Sequence, residues 1–266
     1  MKIPFAKTQT IGNDFVIVRL TDVEGLELSD LALSMCDRKF GIGSDGLLVV
    51  WPGDDRLMMR MFNPDGTEDY CGNGLRCAAH FASSLGWFQG RFLVNQRGID
   101  AWASVDEDGS VTAEHLPAVW EPELVPVLDS NEVSIFGVTG TAISTGSTHF
   151  VVLRDELPGD EEFFEMSPRI EVAFPFPEKT SIMWTAVRGP RSLEMRIWER
   201  GVGPTLGCGT GSMAAATVYA KNSGEFGEIL VQNPGGPLRV RLESLESPIF
   251  ACSTPEISYT GVFRSA

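Results

Sequence analysis

The chain carries one sequence pattern twice, and this repeat limits its fold more than any other feature. The segment 59–63 (Met-Arg-Met-Phe-Asn) precedes Cys-Gly-Asn-Gly at 71–74, and the segment 195–199 (Met-Arg-Ile-Trp-Glu) precedes Cys-Gly-Thr-Gly at 208–211. The cysteine follows the methionine by 12 residues in the first copy and by 13 in the second. Agreement in order and spacing predicts two related halves.

A looser match upstream extends the repeat. Residues 12–18 (Gly-Asn-Asp-Phe-Val-Ile-Val) are similar to residues 146–152 (Gly-Ser-Thr-His-Phe-Val-Val). Each copy then runs from strands rich in Val, Ile and Phe, through a Gly-rich turn, to an apolar stretch at 74–82 or 211–220. Because these stretches are apolar on most sides, they predict buried helices, each wrapped by the strands of its own half.

Two polar segments bear on the domain organisation. The acidic segment 116–129 contains three prolines and is predicted to separate a first half, residues 1–116, from a second half that starts at residue 117. The segment 155–165 is also polar, and we interpret it as a surface excursion within the second half.

Charge and cysteine usage exclude several classes of protein. The 21 Lys+Arg against 36 Asp+Glu give a formal charge of −15, which opposes binding to nucleic acid or to anionic membranes. The sequence shows neither an apolar run long enough to span a bilayer nor a secretory signal, so we expect a cytoplasmic protein. Five irregularly spaced cysteines predict free thiols, and the cysteines and histidines lack the short spacing of a zinc site.

The two repeated cysteines, Cys71 and Cys208, are the strongest candidates for chemistry. Each precedes a predicted helix, where unpaired backbone N–H groups and the positive end of the helix dipole lie. This position is expected to lower the pKa of a thiol, and the adjacent glycines let a carboxylate approach the N–H groups. For one copy alone, a small residue in a helix-entry turn is the better interpretation. Two copies favour a functional pair.

A pair of thiols on opposite sides of a substrate fits inversion at a carbon atom. If the halves face each other, a thiolate takes the Cα proton of an amino acid from one face and a thiol supplies a proton to the other. The helix dipoles would stabilise the intermediate carbanion. Pyridoxal phosphate is the usual cofactor for such racemisation, but none of the five lysines lies in a recognisable cofactor motif. We therefore expect an enzyme without a cofactor.

Several segments together resemble the diaminopimelate epimerase family, nearly from end to end. They are residues 11–15, 37–46, 62–66, 71–77, 199–203, 208–211 and 233–236. The resemblance implies an α/β (α+β) fold of two pseudo-symmetric halves, each a curved, mostly antiparallel sheet around a central helix, with the active site in the cleft between them. It implies a second half of residues 117–256, a return of about residues 257–266 to the first half, and a homodimer. The implied reaction is epimerisation of LL-diaminopimelate to the meso isomer, in lysine and cell-wall biosynthesis.

The resemblance also implies roles for individual residues. Asn13, Asn73 and Glu199 would surround the reacting amino group and Cα. The backbone N–H groups that would hold the reacting carboxylate belong to Gly72, Asn73, Gly209 and Thr210. Asn63 and Arg200 would bind the remote end of the substrate, and His149 would tune the thiols, as Glu199 would.

Each of these residues also has a structural interpretation. Asn13 and Asn63 lie in sequences that form turns. Glu199 and Arg200 are compatible with a solvated ion pair, and His149 with a core residue. Their position beside the cysteine motifs favours the functional interpretation.

Two positions depart from the family pattern, and both belong to the implied remote-end pocket. Ser147 and Ser181 stand where the family usually has asparagine. A serine hydroxyl is shorter than an amide and offers fewer hydrogen bonds. The substrate is therefore diaminopimelate held differently, or another amino acid, as in a histidine-type racemase.

Two hypotheses from other classes compete with the racemase. In a thiol redox protein, Cys71 and Cys208 would form a disulfide, but redox pairs are usually close in sequence or have a resolving partner. A substrate-binding protein without activity would not need to keep both cysteines.

Overall fold

The computed structural model describes residues 1–120 and 131–264. Contacts divide the chain into two compact units, Met1–Glu114 with Cys252–Ala266, and His115–Ala251. The return to the first unit therefore begins at Cys252, earlier than about 257, because the Ser253 hydroxyl is hydrogen-bonded to Thr10 and to Arg76. Of the predicted boundary segment 116–129, residues 121–129 lie outside the described residues.

The first unit is built of β-strands, two α-helices and a short 3₁₀-helix at Leu20–Asp22. In chain order its elements are β1 (Lys2–Thr10), β2 (Asn13–Arg19), α1 (Leu28–Cys36), β3 (Gly46–Pro52), β4 (Arg56–Phe62), β5 (Glu68–Asp69), α2 (Gly72–Ser84), β6 (Gly90–Gln96), β7 (Ile99–Val105) and β8 (Val111–His115).

The second unit repeats this order. Its elements are β9 (Glu132–Ile135), β10 (Val138–Ser144), β11 (Thr148–Arg154), α3 (Asp160–Glu171), β12 (Ser181–Gly189), β13 (Ser192–Glu199), β14 (Gly203–Thr205), α4 (Gly209–Ser223), β15 (Gly227–Asn233) and β16 (Gly236–Leu242). Strand β17 (Ile249–Ser253) begins in the second unit, and its last two residues belong to the first. The last strand of the chain, β18 (Glu256–Arg264), pairs antiparallel with β1 in the first unit.

Strand pairing follows the sequence repeat. In the first unit β2 is parallel to β3 and β4 is parallel to β6, while the β1–β2, β3–β4 and β6–β7 pairs are antiparallel. In the second unit β11 is parallel to β12 and β13 is parallel to β15, while the β10–β11, β12–β13 and β15–β16 pairs are antiparallel. The predicted fold class, two similar halves of mostly antiparallel sheet, is confirmed.

Each sheet is covered on both faces, which explains its continuous apolar strands. Along β2, Phe15 and Ile17 belong to the core around α2, whereas Val16 and Val18 belong to the core around α1. The same alternation places Val151 on the α4 side of β11, and Phe150 and Val152 on the α3 side. Side chains on successive strand residues point to opposite faces. The repeated cysteine motifs therefore lead into helices α2 and α4, which lie against one face of their sheets.

The segment 155–165 was predicted to be a surface excursion, but it also contains the start of a helix. Helix α3 starts at Asp160 within it, and three acidic residues occupy its first turn, where they stabilise the positive end of the helix. Phe163 and Ile170 bury the inner side of this helix against the sheet. Because acidic residues dominate the start of α3, the apolar face of this helix was not recognised in the sequence. Among the described residues, none of the helices has the length and apolar content needed to cross a membrane.

Candidate active site

Cys71 caps the N-terminus of α2. Its backbone is extended (φ −143°, ψ 111°), and its Sγ atom accepts a hydrogen bond from the backbone N–H of Gly74 at 3.3 Å. The Cys71 N–H donates to Oε1 of Gln96 at 3.3 Å, which fixes the residue from the end of β6. The side chain is partly exposed, whereas the adjacent Gly72 and Asn73 are buried. Cys71 is therefore fixed at the helix entry and is only partly buried.

Hydrogen bonds connect Asn73, two residues after Cys71, to Asn13 at the start of β2. Nδ2 of Asn73 donates to Oδ1 of Asn13 at 3.1 Å, and Nδ2 of Asn13 donates to Oδ2 of Asp45 at 2.7 Å. On the other side, the guanidinium of Arg76 donates to Oδ1 of Asn73. The structure thus brings together Cys71, Asn73 and Asn13. Sequence reasoning missed the roles of Asp45 and Arg76, although both lie in the segments that carried the family resemblance.

Asn63 lies outside this group of hydrogen bonds. Its N–H donates to the carbonyl of Thr67 at 2.8 Å, and its Nδ2 donates to Oγ1 of Thr67 at 3.1 Å. Its carbonyl accepts from the N–H of Gly66 at 2.9 Å. These bonds are those of a turn-forming asparagine, the structural interpretation that the sequence allowed.

Cys208 caps α4 in the same way. Its backbone is extended (φ −123°, ψ 110°), and its Sγ accepts from the N–H of Gly211 at 3.3 Å. The hydroxyl of Thr210 lies 3.4 Å from the same sulfur. Unlike Cys71, Cys208 is buried, with 5% of its surface exposed. Gly209 and Thr210 form the first turn of the helix.

Burial raises the pKa of the Cys208 thiol well above its usual range, and the nearby Glu199 carboxylate raises it further. The hydroxyl of Thr210 and the N–H of Gly211 act in the opposite direction but do not outweigh burial. The expectation that the helix entry lowers the pKa of both thiols is therefore wrong for Cys208. Desolvation disfavours a thiolate more than one helix terminus favours it.

Glu199 ends β13 and reaches Cys208 from the sheet. Its Oε1 accepts a hydrogen bond from the hydroxyl of Thr205 at 2.5 Å, and its side chain is also hydrogen-bonded with Cys208. Glu199 lies opposite Gly203 in the strand pair β13–β14, and this pairing positions both Glu199 and Thr205. Glu199 is thus a neighbour of the Cys208 thiol.

His149 is completely buried on β11. Nδ1 lies 3.5 Å from Oγ1 of Thr145, and Nε2 lies 3.4 Å from Oγ of Ser147. Thr145 in turn donates to the carbonyl of Thr210 at 2.8 Å, so a hydroxyl links the imidazole to the first turn of α4. Burial lowers the pKa of His149 to about 4, and the charge of Arg200 contributes. The imidazole is neutral at physiological pH.

Ser147 and Ser181, which differ from the family pattern, each form a hydrogen bond within the protein. Ser181 is buried at the start of β12, and its hydroxyl accepts from the N–H of Arg200 at 3.0 Å. The guanidinium of Arg200 donates to the carbonyl of Glu178 at 3.0 Å, and the Arg200 side chain is exposed. Ser147 contacts His149. The structure therefore connects Ser147 to the histidine and Ser181 to the turn after Glu199.

A buried carboxylate holds that turn from α3. Oε1 of Glu171 accepts from the N–H of Gly201 at 2.9 Å, and Oε2 accepts from the indole N–H of Trp198 at 2.7 Å. These bonds fix both ends of the Glu199–Arg200 pair. Sequence reasoning missed this contribution because α3 itself was not predicted.

All five cysteines are free. Within the described parts of the chain, no group of three or more His, Cys, Asp and Glu side chains is arranged to hold a metal ion.

Known proteins match nearly the whole chain. The diaminopimelate epimerase family matches residues 5–120 and 141–257. The chain belongs to this family. The resemblance and the enzyme class predicted from the sequence, an isomerase, are confirmed by this membership.

Individual relatives agree with the family assignment. The diaminopimelate epimerase of Acaryochloris marina is 30% identical to this family member and covers 100% of both chains. That of Moorella thermoacetica is 35% identical over 92% of this chain and 94% of its own length. A crystal structure of a phenazine biosynthesis protein of the PhzF family from Bacillus anthracis has a TM-score of 0.72 at 16% identity, with 100% of both chains covered. That structural similarity supports the fold alone.

Proposed function

We propose that this member of the family epimerises LL-diaminopimelate to meso-diaminopimelate at Cα, with Cys71 and Cys208 as its base and acid. One observation carries the proposal: two cysteines cap equivalent helices, and each Sγ accepts an N–H from the residue three positions on at 3.3 Å. Relatives that share 30% or more of the sequence over nearly the whole chain are named diaminopimelate epimerases.

The proposed reaction consists of two proton transfers. The thiolate of Cys71 takes the Cα proton and becomes a thiol, and the electron pair is shared between Cα and the carboxylate. The Cys208 thiol gives its proton to the opposite face of Cα and becomes a thiolate. In the reverse reaction the roles are exchanged.

Backbone N–H groups and polar side chains supply the remaining contacts in this proposal. The N–H groups of Gly72, Asn73, Gly209 and Thr210 receive the reacting carboxylate, since helix N-termini favour anions. Asn13, Asn73 and Glu199 bind the amino group. Because a protein group is available for both proton transfers, we propose that the reaction needs no cofactor. Activity should then survive gel filtration and treatment with a metal chelator.

A second candidate is racemisation of another amino acid, for example of the histidine type. Three observations favour it: Ser147 contacts His149, Ser181 binds the main chain of Arg200, and Asn63 is engaged within its own turn. These residues would have to change partners to bind a charged remote end. A cytoplasmic location and a homodimer stay predictions.

The test is exchange of the Cα proton in deuterated buffer, followed by NMR. The panel contains the isomers of diaminopimelate and the L and D forms of other amino acids, and a variant with both Cys71→Ala and Cys208→Ala serves as the blank. Exchange of diaminopimelate alone is the expected result. Exchange of a different amino acid would keep the two-thiol mechanism and change the substrate. No exchange under reducing conditions would contradict the epimerase.

A further inference from the structure

Arg76 is an arginine in an unusual place. It lies in the second turn of α2, and its side chain is completely buried. Its hydrogen-bond partners are neutral groups: Nε donates to the hydroxyl of Ser253 at 2.8 Å, and Nη2 donates to Oδ1 of Asn73. Nη1 is buried and has no hydrogen-bond partner among the described residues. A guanidinium buried in this way needs a counter-charge.

The acids close to Arg76 are thiols and a phenol. Burial lowers the pKa of Arg76, and Cys77, Cys71, Cys252 and Tyr70 oppose this effect when they ionise. Two of these four groups stay neutral at physiological pH. Burial raises the pKa of Cys77 to about 12, and burial also raises the pKa of Tyr70. Of these four groups, Cys71 and Cys252 therefore remain as sources of an anion.

Geometry favours Cys71. Its sulfur already accepts the Gly74 N–H at the N-terminus of α2, where an anion is stabilised, while Cys252 lies on strand β17. Asn73 connects the two residues in sequence and space, since it follows Cys71 by two positions and accepts from Arg76. Arg76 is thus placed to act on both the charge of the thiol and the orientation of Asn73.

We propose that Arg76 is a positioning residue whose buried guanidinium is the counter-charge of the Cys71 thiolate, so that Cys71 is the base in the resting protein. The role of Cys71 as a base rests on the proposed function, whereas the pairing of its thiolate with Arg76 does not. The charge state of Cys71 is a property of the folded protein that is measured without substrate.

The second half provides the contrast that supports this assignment. Met213 follows Cys208 by five residues, as Arg76 follows Cys71, and it is buried and apolar. Near Cys208 the ionisable neighbour is the carboxylate of Glu199, which opposes a thiolate. The first cysteine therefore has a buried cation where the second has a thioether.

The experiment measures the rate of alkylation of Cys71 by iodoacetamide from about pH 5 to about pH 10, with the modified cysteine identified by mass spectrometry. Arg76→Met and Arg76→Gln remove the charge, and Arg76→Lys keeps it. Arg60→Met is the matched control, because Arg60 lies in the same half and has its own carboxylate partner, Glu68, at 2.8 Å. Circular dichroism and thermal melting verify that each variant is folded.

In the two neutral variants, we expect the reactive fraction of Cys71 near neutral pH to fall by about tenfold or more, with the midpoint moved to higher pH. Arg76→Lys and Arg60→Met should keep the wild-type midpoint. A folded neutral variant with an unchanged Cys71 midpoint, or a shift at Cys252 instead, would overturn the proposal.

A second measurement decides the case in which neither neutral variant folds. The ultraviolet absorbance of thiolate at neutral pH should be larger in the wild type than in Cys71→Ala, and Arg76→Lys should keep this difference. Equal absorbance in the wild type and Cys71→Ala would also overturn the proposal. Failure of diaminopimelate exchange with a normal Cys71 thiolate would instead contradict the proposed function alone.

Discussion

The two cysteine sites have the same backbone and opposite surroundings. Both sulfurs accept the N–H three residues on at 3.3 Å, and both helices begin with glycine. Cys71 is partly exposed and has the buried cation of Arg76 nearby, whereas Cys208 is buried and has the Glu199 carboxylate as its neighbour. The repeated backbone thus places two thiols alike, while a few side chains give them neighbours of opposite charge.

This contrast suggests why two similar halves are useful to an epimerase. Inversion needs a base and an acid at the same moment, and two identical thiol sites would compete for the same proton state. In the proposed mechanism, different side chains at equivalent positions give the two thiols different proton states. Asn63 and Glu199 end the repeated segments, and Arg76 and Met213 follow the cysteines by five residues. One half therefore carries the positive neighbour and the other half the negative one.

The largest expected effect comes from removing either thiol. Cys71→Ala and Cys208→Ala should each lower the rate of epimerisation by about 10²–10⁴, because in the proposed mechanism each removes one of the two proton transfers. The measurement is turnover of LL-diaminopimelate by NMR, with Cys36→Ala as a control for loss of a buried thiol outside the helix entries. If one of the two variants kept the wild-type rate, the cysteine removed in that variant would not take part in the reaction.

Acid should destabilise the protein through His149. Its pKa is about 4 in the folded protein and 6.5 in the reference state, so between these values the unfolded chain binds a proton that the folded chain does not. Stability should therefore be lost as pH falls from about 6.5 to about 4, by about 3 kcal/mol in total. Chemical denaturation at several pH values measures this loss.

His149→Gln should remove most of the slope in this pH window, since glutamine does not titrate. His80→Gln in the first half is the matched comparison: burial also lowers the pKa of His80, but this residue is only half-buried and should contribute less. An unchanged slope in His149→Gln would show that the acid sensitivity lies elsewhere.

Equivalent glycines should respond differently to a methyl group. At Gly211 a Cβ atom would have Sδ of Met183 as its nearest neighbour and would lie 2.7 Å from Cε of Met183 and 3.2 Å from Sγ of Cys208, whereas at Gly74 its nearest neighbour would be Cδ2 of Leu48 at 3.0 Å. Gly211→Ala should cost about 1–3 kcal/mol of stability by overpacking, and Gly74→Ala should cost less. Thermal unfolding of both variants compares them. Equal losses would mean that Met183 moves away freely.

The smallest expected effect is a shift in the ionisation of Cys208. Glu199→Gln removes the carboxylate that adds to the effect of burial, so the pKa of Cys208 should fall by on the order of one pH unit but stay above that of a free thiol. Thiolate absorbance against pH, in a Cys71→Ala background, measures it. A pKa that did not move would assign the whole effect to burial.

The sequence predicts the fold of this molecule better than the ionisation of its thiols. The repeat and the Cys-Gly-X-Gly motifs are local patterns, and they correctly indicate two similar halves and the helices that follow Cys71 and Cys208. Helix α3 was missed because the acidic first turn, which favours a helix start, resembles a polar loop. Its consequence, the Glu171 carboxylate that holds Trp198 and Gly201, was missed with it.

The charge state of the thiols could not be predicted because it depends on burial. A helix entry indicates a stabilised thiolate, but the sequence does not show that Cys208 is 5% exposed or that the side-chain partners of Arg76 among the described residues are the neutral Ser253 and Asn73. Asn63 shows the same limit for binding residues: its motif fits both a turn and a ligand contact. Long-range packing decides between such alternatives.

The central claim, two thiols with separate roles, is tested most directly by the position of the first deuterium. LL-diaminopimelate is added to the wild-type protein in deuterated buffer, and both the remaining LL isomer and the meso product are analysed by NMR and mass spectrometry during the first few per cent of conversion. With one thiol as base and another as acid, the meso product should carry deuterium at the inverted Cα while the remaining LL isomer keeps its proton. Deuterium that entered the LL isomer as fast as the product would contradict the account, because one group would then both remove and return the proton.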